Sequence, residues 1–299
     1  MKVRIGISAP PADGAGHFAE IVDHAESLGV DSLWLSEIVY GPAVEPFVGM
    51  AYALARTTRL KVGTGVAILP GRHPVHVAKQ LASLVALAPK RVLPAFGLQP
   101  ARTRERDLFP VPDGARGAVF DESMELLRLL LGQDGPVTFK GRFHSVEDAE
   151  IGPRPARPPD IWLGGAGPIA LRRAGLLADG WLASFLTPEE AGAGRATIQA
   201  HAADAGREIE PDHFGISLAV AAAAVPDEIA AVILRRRPDA DPAELVPVGW
   251  EAARELIGRY VAEGITKFVV RPAGPTPRFD TWLEDFAREL MPLMSGEDA

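Results

Sequence analysis

The stretch "DIWLGGAGPIALRRAGLLADGWLASF" (Asp160–Phe185) holds a short apolar strand, a glycine turn, a helix and a second apolar strand. Ile161–Gly165 carries no charged side chain. It therefore reads as a strand buried on both faces, as parallel sheets require. Pro168 stands where a helix begins, because its missing N–H is one that no helical carbonyl would have used. The same alternation continues in both directions. Upstream, Val3–Ser8 is a strand, and Phe18, Ile21, Val22, Ala25 and Leu28 follow helical spacing up to a stop at Gly29. Asp31–Glu37 and Val44–Thr57 form the second pair, and Arg59–Leu69 with the helix opened by Pro74 the third. Arg91–Gly97 is a fourth strand that Pro94 interrupts, and Phe120, Met124, Leu127 and Leu130 mark its helix. Downstream come helix six (Pro188–Ala205), strand seven (His213–Val225) and a helix carrying Leu256, Ile257 and Tyr260. Strand eight (Lys267–Ala273) and a helix with Trp282, Leu283, Phe286 and Leu290 follow.

Eight strands, each followed by a helix, predict an α/β fold: a closed (β/α)₈ TIM barrel. A doubly wound open sheet is the alternative. The 299 residues suit one such barrel. The expected organisation is a single domain over residues 1–299, with insertion segments near 98–114, 139–159 and 226–248. The polar stretch Phe139–Asp160 reads as a surface excursion, and the charged Leu234–Leu245 precedes the seventh helix.

Composition narrows the function. The formal net charge of −8 argues against non-specific nucleic-acid binding. With no cysteine, thiolate nucleophiles, disulfides and Cys–zinc sites are excluded. The seven histidines form no H-E-x-x-H pair, and His73 and His76 have no further ligand cluster beside them, so no metal is expected. "MKVRIGISAPP" lacks the apolar run of a signal peptide. Apolar runs fall short of the roughly 20 residues that span a bilayer. The expected location is the cytoplasm, with no membrane partner.

Barrel active sites lie at the C-terminal ends of the strands. Those ends carry Ser36-Glu37-Ile38, Thr64-Gly65-Val66, Gly97-Leu98-Gln99, Gly164–Gly167, Ser184 and Arg271. They show no nucleophile–base pair and no carboxylate dyad. Such a rim suits an enzyme whose cofactor carries the chemistry. Gly165–Ala170 fits G-x-G-x-x-A, the loose dinucleotide fingerprint. That fingerprint wants an acid about 20 residues on, at the end of the next strand. Here that strand ends in Ser184-Phe185, and Asp179 precedes it. NAD is disfavoured, but a phosphate still fits, since glycines admit it and helix-start N–H groups attract it. A plain tight turn is the alternative.

Three blocks, "AESLGVDSLWLSE" (25–37), "VGTGVAILPGRHPVHVAKQLASL" (62–84) and "PPDIWLGGAGPIALRRAGLLADGWL" (158–182), match a known family in order and spacing. The sequence resembles the bacterial luciferase-like superfamily of flavin and deazaflavin (coenzyme F420) oxidoreductases over nearly its whole length. The resemblance implies a cofactor phosphate on Gly164, Gly165, Ala166 and Gly167. It implies a ring in the barrel mouth, backed by a strand-three bulge at Gly65, Val66 and Ala67 with a non-proline cis peptide at Gly65–Val66, and flanked by Gly97. It implies a small-molecule substrate and a homodimer.

The chain also departs from the family. Members with an acid–His pair after strand two use that histidine beside the ring, whereas this chain has Glu37-Ile38. A G-x-G-x-G pattern in strand four survives only as Gly97, and a glutamate after it is Pro100. Glu37 is the expected catalytic group, with a salt-bridged rim carboxylate as its alternative role. His73 is expected to anchor the third helix, Tyr40 and Arg271 to meet substrate or pack at the rim, and Trp181 to cover the cofactor or pack in the core. The implied activity is hydride transfer between the deazaflavin and a small organic molecule. An FMN-dependent monooxygenase and a non-catalytic flavin-binding barrel are the alternatives.

Overall fold

The chain alternates between strands with buried faces and helices with one apolar stripe. The structure, a computed structural model, describes residues 2–10, 17–276 and 278–296, so Met1 and Pro11 of the N-terminal stretch lie outside the described residues. The order is β1 (Arg4–Ser8), α1 (Phe18–Leu28), β2 (Ser32–Leu35), α2 (Pro46–Arg56), β3 (Lys61–Thr64), β4 (Ala67–Ile68) and α3 (Pro74–Leu87). Then come β5 (Val92–Leu93), β6 (Ala95–Gly97), α4 (Arg116–Gly132), β7 (Val137–Lys140), β8 (Ser145–Ala149), β9 (Trp162–Gly164) and α5 (Pro168–Leu177). The chain ends with β10 (Gly180–Ser184), α6 (Pro188–Asp204), β11 (Phe214–Val220), α7 (Asp227–Arg236), α8 (Pro242–Leu245), α9 (Gly249–Ala262), β12 (Lys267–Pro272) and α10 (Phe279–Leu290).

The main sheet is parallel, in the order β4-β6-β9-β10-β11-β12-β1-β2-β3-β5. β3 and β4 are one strand broken at Gly65-Val66, and β5 and β6 are one strand broken at Pro94. Because β3 pairs with β5 and β4 with β6, the two ends of the sheet join. Eight composite strands thus close into the barrel, and the open-sheet alternative falls. Pro94 has no N–H for the ladder. Beside it, the buried Thr64 hydroxyl donates to the Ala95 carbonyl (2.6 Å) and accepts from the Ala95 amide (2.8 Å).

Caps set the helix ends. Gly29 stops α1 at φ 75°, a left-handed geometry that costs glycine little. His73 caps α3, its Nδ1 accepting from the Val75 amide at 3.3 Å, which is the anchoring role the sequence assigns it. Inside the barrel, Trp34, Ala95, Trp162, Leu182 and Val269 form one buried layer, with Val66 and Leu93 packed against it. The outward faces of the strands join the helices in the larger core.

The segments outside this repeat differ from their sequence reading. Within 98–114 a 3-10 turn forms over Thr103–Leu108. The 139–159 excursion carries most of an antiparallel hairpin, β7 with β8. Its strands are half exposed, so no apolar run announced them. Strand seven ends at Val220 rather than Val225. The charged stretch after it is helical, as α7 and α8. Ile233, Leu245 and Val246 of that segment pack on Ala219, Ala221 and Ala273, at the C-terminal ends of β11 and β12. Among the described residues no helix is long and apolar enough to cross a membrane.

Candidate cofactor site

The mouth is built from what strands β4, β6 and β9 leave out. The peptide between Gly65 and Val66 is cis, as the resemblance implies. Three contacts to the second strand hold this break. The Gly65 amide donates to the Leu35 carbonyl (2.8 Å), the Ser36 hydroxyl to the Gly65 carbonyl (3.0 Å), and the Glu37 amide to the Val66 carbonyl (3.4 Å). The Val66 side chain then lies across the neighbouring strands. A Cβ built on Gly97 would stand 2.6 Å from Val66 Cγ2, and one on Gly164 3.3 Å from Val66 Cγ1. These two glycines therefore make room for valine, a packing reason that the sequence motif does not reveal.

After β9 the turn is open. Gly165 adopts φ 109°, a conformation that favours glycine. A Cβ on Gly167 would meet nothing within 4 Å. Gly167 is the N-cap of α5 and offers no side-chain cap, so the first amides of that helix have no intrahelical partner. Gly165, Gly167, Pro168 and Ile169 are all exposed. Trp181 braces the turn from below, its indole Nε1–H donating to the Gly165 carbonyl at 2.7 Å. The ring itself is fully buried, so Trp181 is a core residue whose polar tip holds a carbonyl of the turn. Such a turn presents amide donors to an anion. Asp179, the carboxylate nearest to the fingerprint's missing acid, accepts from Arg128, Arg207 and the Ile161 amide (2.9 Å) at the start of β10.

Glu37 is buried, and both its oxygens are engaged. Oε2 accepts from the Ile68 amide (2.6 Å) and from Arg72 (2.8 Å), while Oε1 accepts from Arg72 as well. Arg72 also donates to the Ile68 carbonyl (2.7 Å) and lies over the rings of Phe47 and Phe109. The pair ties the second strand to the end of β4. The partner of Glu37 is 35 residues away, and the pairing of β2 with β3 brings the two together. Ile38, beside Glu37, lines a small, mostly apolar pocket with Ala9, Pro10, Ala43 and Val44. Tyr40 is tied to the 98–114 segment, its amide donating to Glu105 (3.1 Å) and its carbonyl accepting from Arg102 (2.6 Å). Among the described residues, no group of three or more His, Cys, Asp or Glu side chains is placed to hold a metal ion.

Comparison with known proteins agrees with this architecture. Residues 2–263 match the family described as luciferase-like monooxygenase. An F420-dependent glucose-6-phosphate dehydrogenase of Beutenbergia cavernae is 30% identical over 316 aligned positions, covering 92% of each chain. An uncharacterized protein of Mycobacterium tuberculosis is 39% identical over 149 residues, or 50% of this chain and 51% of that one, so the match spans about half the length of that relative. A solved F420-dependent secondary alcohol dehydrogenase, in complex with an F420-acetone adduct, superposes with a TM-score of 0.80 at 19% identity, over 99% of this chain and 100% of that one. On the closed parallel barrel and the family match together, the chain belongs to the luciferase-like monooxygenase family.

Proposed function

We propose that the chain is an oxidoreductase that holds the deazaflavin coenzyme F420 and serves hydride transfer between it and a small organic substrate. One observation carries this reading. The strand break at Gly65-Val66 and the open glycine turn stand at the same end of the barrel, beside β4 and β9, with only β6 between them. Two strand spacings are about 10 Å. A flat ring with a phosphate-bearing tail suits a rigid apolar rest at one end and amide donors at the other. The relative matched over 92% of both chains carries the name of a deazaflavin enzyme, which favours coenzyme F420 over FMN.

When bound, the deazaflavin supplies hydride chemistry at its C5. The rest is the work of this chain. Val66 backs one face of the ring position, with Gly65 and Ala67 completing the segment. Gly97 and Gly164 admit the Val66 side chain. The amides of Gly165, Ala166 and Gly167 hold the phosphate. Glu37, whose oxygens are both taken, is a positioning residue that fixes Ile68 and Arg72. Ile38 moves no proton, so the sugar oxidation named for that relative is not proposed here.

Separate titrations with coenzyme F420 and FMN, followed by cofactor fluorescence, test the reading. Coenzyme F420 should bind, and Gly167→Asp should abolish binding while leaving the thermal midpoint within about 2 °C, since the new side chain meets open space. Tight FMN binding without affinity for the deazaflavin would replace this reading with an FMN-dependent monooxygenase. Binding without turnover on carbonyl, enone and alcohol panels would leave a non-catalytic binding barrel.

A further inference from the structure

The mouth has a second polar region, over β10, β11 and β12, on the side away from the Gly65-Val66 break. Register defines it. Leu182 and Val269 point inward, into the tryptophan layer. Two residues further along each strand, Ser184 and Arg271 point the same way, because strand side chains alternate. Ser217 is the register partner of both Ser184 and Val269, and Ala219 is the partner of Arg271. Two hydroxyls and a guanidinium therefore share the inner face, one level above the buried layer. α7 and α8 roof them, with Ile233 and Leu245 packed on Ala219 and Ala273. Arg236, in the last turn of α7, lies over the Phe185 ring at 5.3 Å. A small pocket open to solvent lies beneath this roof, lined by Ser184, Phe185, Ser217, Ala219, Leu245 and Arg271 among others.

The charges there are uncompensated. Arg271 makes one long hydrogen bond, to the Pro272 carbonyl at 3.3 Å. Neither Arg271 nor Arg236 pairs with a carboxylate among the described residues, although the chain carries 39 acidic residues against 31 basic ones. Arg237, by contrast, is paired with Glu190 at 2.7 Å. The hydroxyls of Ser184 and Ser217 likewise have no partner among the described residues. Burial, and then Arg236, hold the Arg271 guanidinium below its ordinary range; burial, and then Arg235, do the same to Arg236. Arg236 is exposed, but the Arg271 guanidinium is half-buried with no carboxylate beside it, which is costly unless an anion joins it. Arginine forks suit carboxylate and phosphate.

We propose that this part of the mouth is an anion subsite and that the substrate carries a carboxylate or phosphate group held by Arg271 and Arg236, with hydrogen bonds from Ser184 and Ser217. Calling this anion the substrate's rests on the cofactor reading above, in which the glycine turn after β9 takes the cofactor phosphate. The subsite itself stands on the geometry of β10–β12 and α7 alone.

The test uses inorganic phosphate and succinate as probes, with butane-1,4-diol as the neutral control. Binding is read from the arginine Nε–Hε signals in NMR spectra, and cofactor affinity is measured separately by fluorescence. Both anions should shift the Arg271 signal saturably, and the diol should not. Arg271→Gln should weaken phosphate at least about tenfold, equivalent to 1.4 kcal/mol. Ser217→Ala should weaken it a few-fold, and Arg271→Lys should retain part of the binding. Coenzyme F420 affinity should stay unchanged in Arg271→Gln, and succinate should bind the loaded protein. Phosphate binding that survives Arg271→Gln in a protein with unchanged circular dichroism overturns the subsite. If Arg271→Gln fails to fold, equal phosphate affinity in Ser217→Ala and wild type does so. Displacement of the cofactor by succinate assigns the anion to the cofactor and overturns the substrate assignment. Anion binding that depends on Arg271, in a protein that binds neither cofactor, upholds the subsite and removes the cofactor reading.

Discussion

Replacing Gly97 with alanine tests the reason given for the glycine in the fourth strand. The new Cβ would stand 2.6 Å from Val66 Cγ2, whereas at Gly164 it would stand 3.3 Å from Val66 Cγ1. Apolar carbons rest about 3.5–4.0 Å apart, so the overlap at Gly97 is about 1 Å and that at Gly164 a few tenths. Val66 has little room to retreat, because its carbonyl accepts from Glu37 and the preceding carbonyl from Ser36. Overpacking of this size costs about 1–3 kcal/mol. Gly97→Ala should therefore lower the thermal midpoint by about 2–6 °C, and Gly164→Ala by less. Val66→Ala removes two methyl groups and should cost about 1.5 kcal/mol by itself. In that background the clash is gone, and Gly97→Ala should cost less than about 0.5 kcal/mol, a coupling of about 0.5–3 kcal/mol between the two sites. Urea denaturation of the four proteins of the cycle measures it. If Gly97→Ala costs the same with valine and with alanine at position 66, Val66 is not what excludes a side chain there.

Three further outcomes follow from the hydrogen bonding. Glu26 accepts from the amides of Thr58 (2.9 Å), Arg59 (3.0 Å) and Leu60 (2.8 Å) and so ties α1 to the start of β3. Burial by itself would raise its pKa, but the Thr58, Leu60 and Arg59 amides and the Thr58 hydroxyl outweigh it and hold the carboxyl at about 2, against an ordinary 4.5. A depressed value contributes stability in full above about pH 4.5 that is lost as pH falls towards 2, here about 3 kcal/mol. Urea denaturation should show Glu26→Gln weaker than wild type at pH 7 by about that amount, with the gap narrowing below pH 4.5; a constant gap down to pH 3 refutes the assignment. Thr64→Val leaves the buried Ala95 amide and carbonyl without the hydroxyl and should cost about 2–3 kcal/mol, with faster hydrogen exchange at Ala95. Trp181→Phe loses the bond to the Gly165 carbonyl and should cost about 1 kcal/mol and weaken cofactor binding a few-fold; unchanged affinity shows that the turn needs no brace.

Much of the barrel is legible in the residues because its signals are local. Apolar strands, helical stripes, Gly29 as a stop and Pro74, Pro168 and Pro188 as starts depend on neighbours a few positions away. The break between Gly65 and Val66 was legible only by likeness to a family. The β7–β8 hairpin was not legible, because its short strands are half exposed and carry only four or five residues each, among charged ones. The helices after strand seven were hidden in a charged stretch for a related reason, since α7 buries only Ile233 fully.

The candidate site divides in the same way. Its glycine turn and its position at the strand ends follow from the order of the residues, because strand, turn and helix start are consecutive. The pairing of strands in the barrel decided the rest. It set Glu37 against Arg72, placed Val66 in the space left by Gly97 and Gly164, and lifted the Trp181 indole to the Gly165 carbonyl. It also set Arg271 beneath α7, the helix that ends in Arg236. By itself the sequence determined which segments of the eightfold repeat become strands and helices and which end of the barrel is rich in glycine. Only the tertiary structure decided which side chains meet, because register and barrel closure join residues tens of positions apart, and no local pattern encodes that.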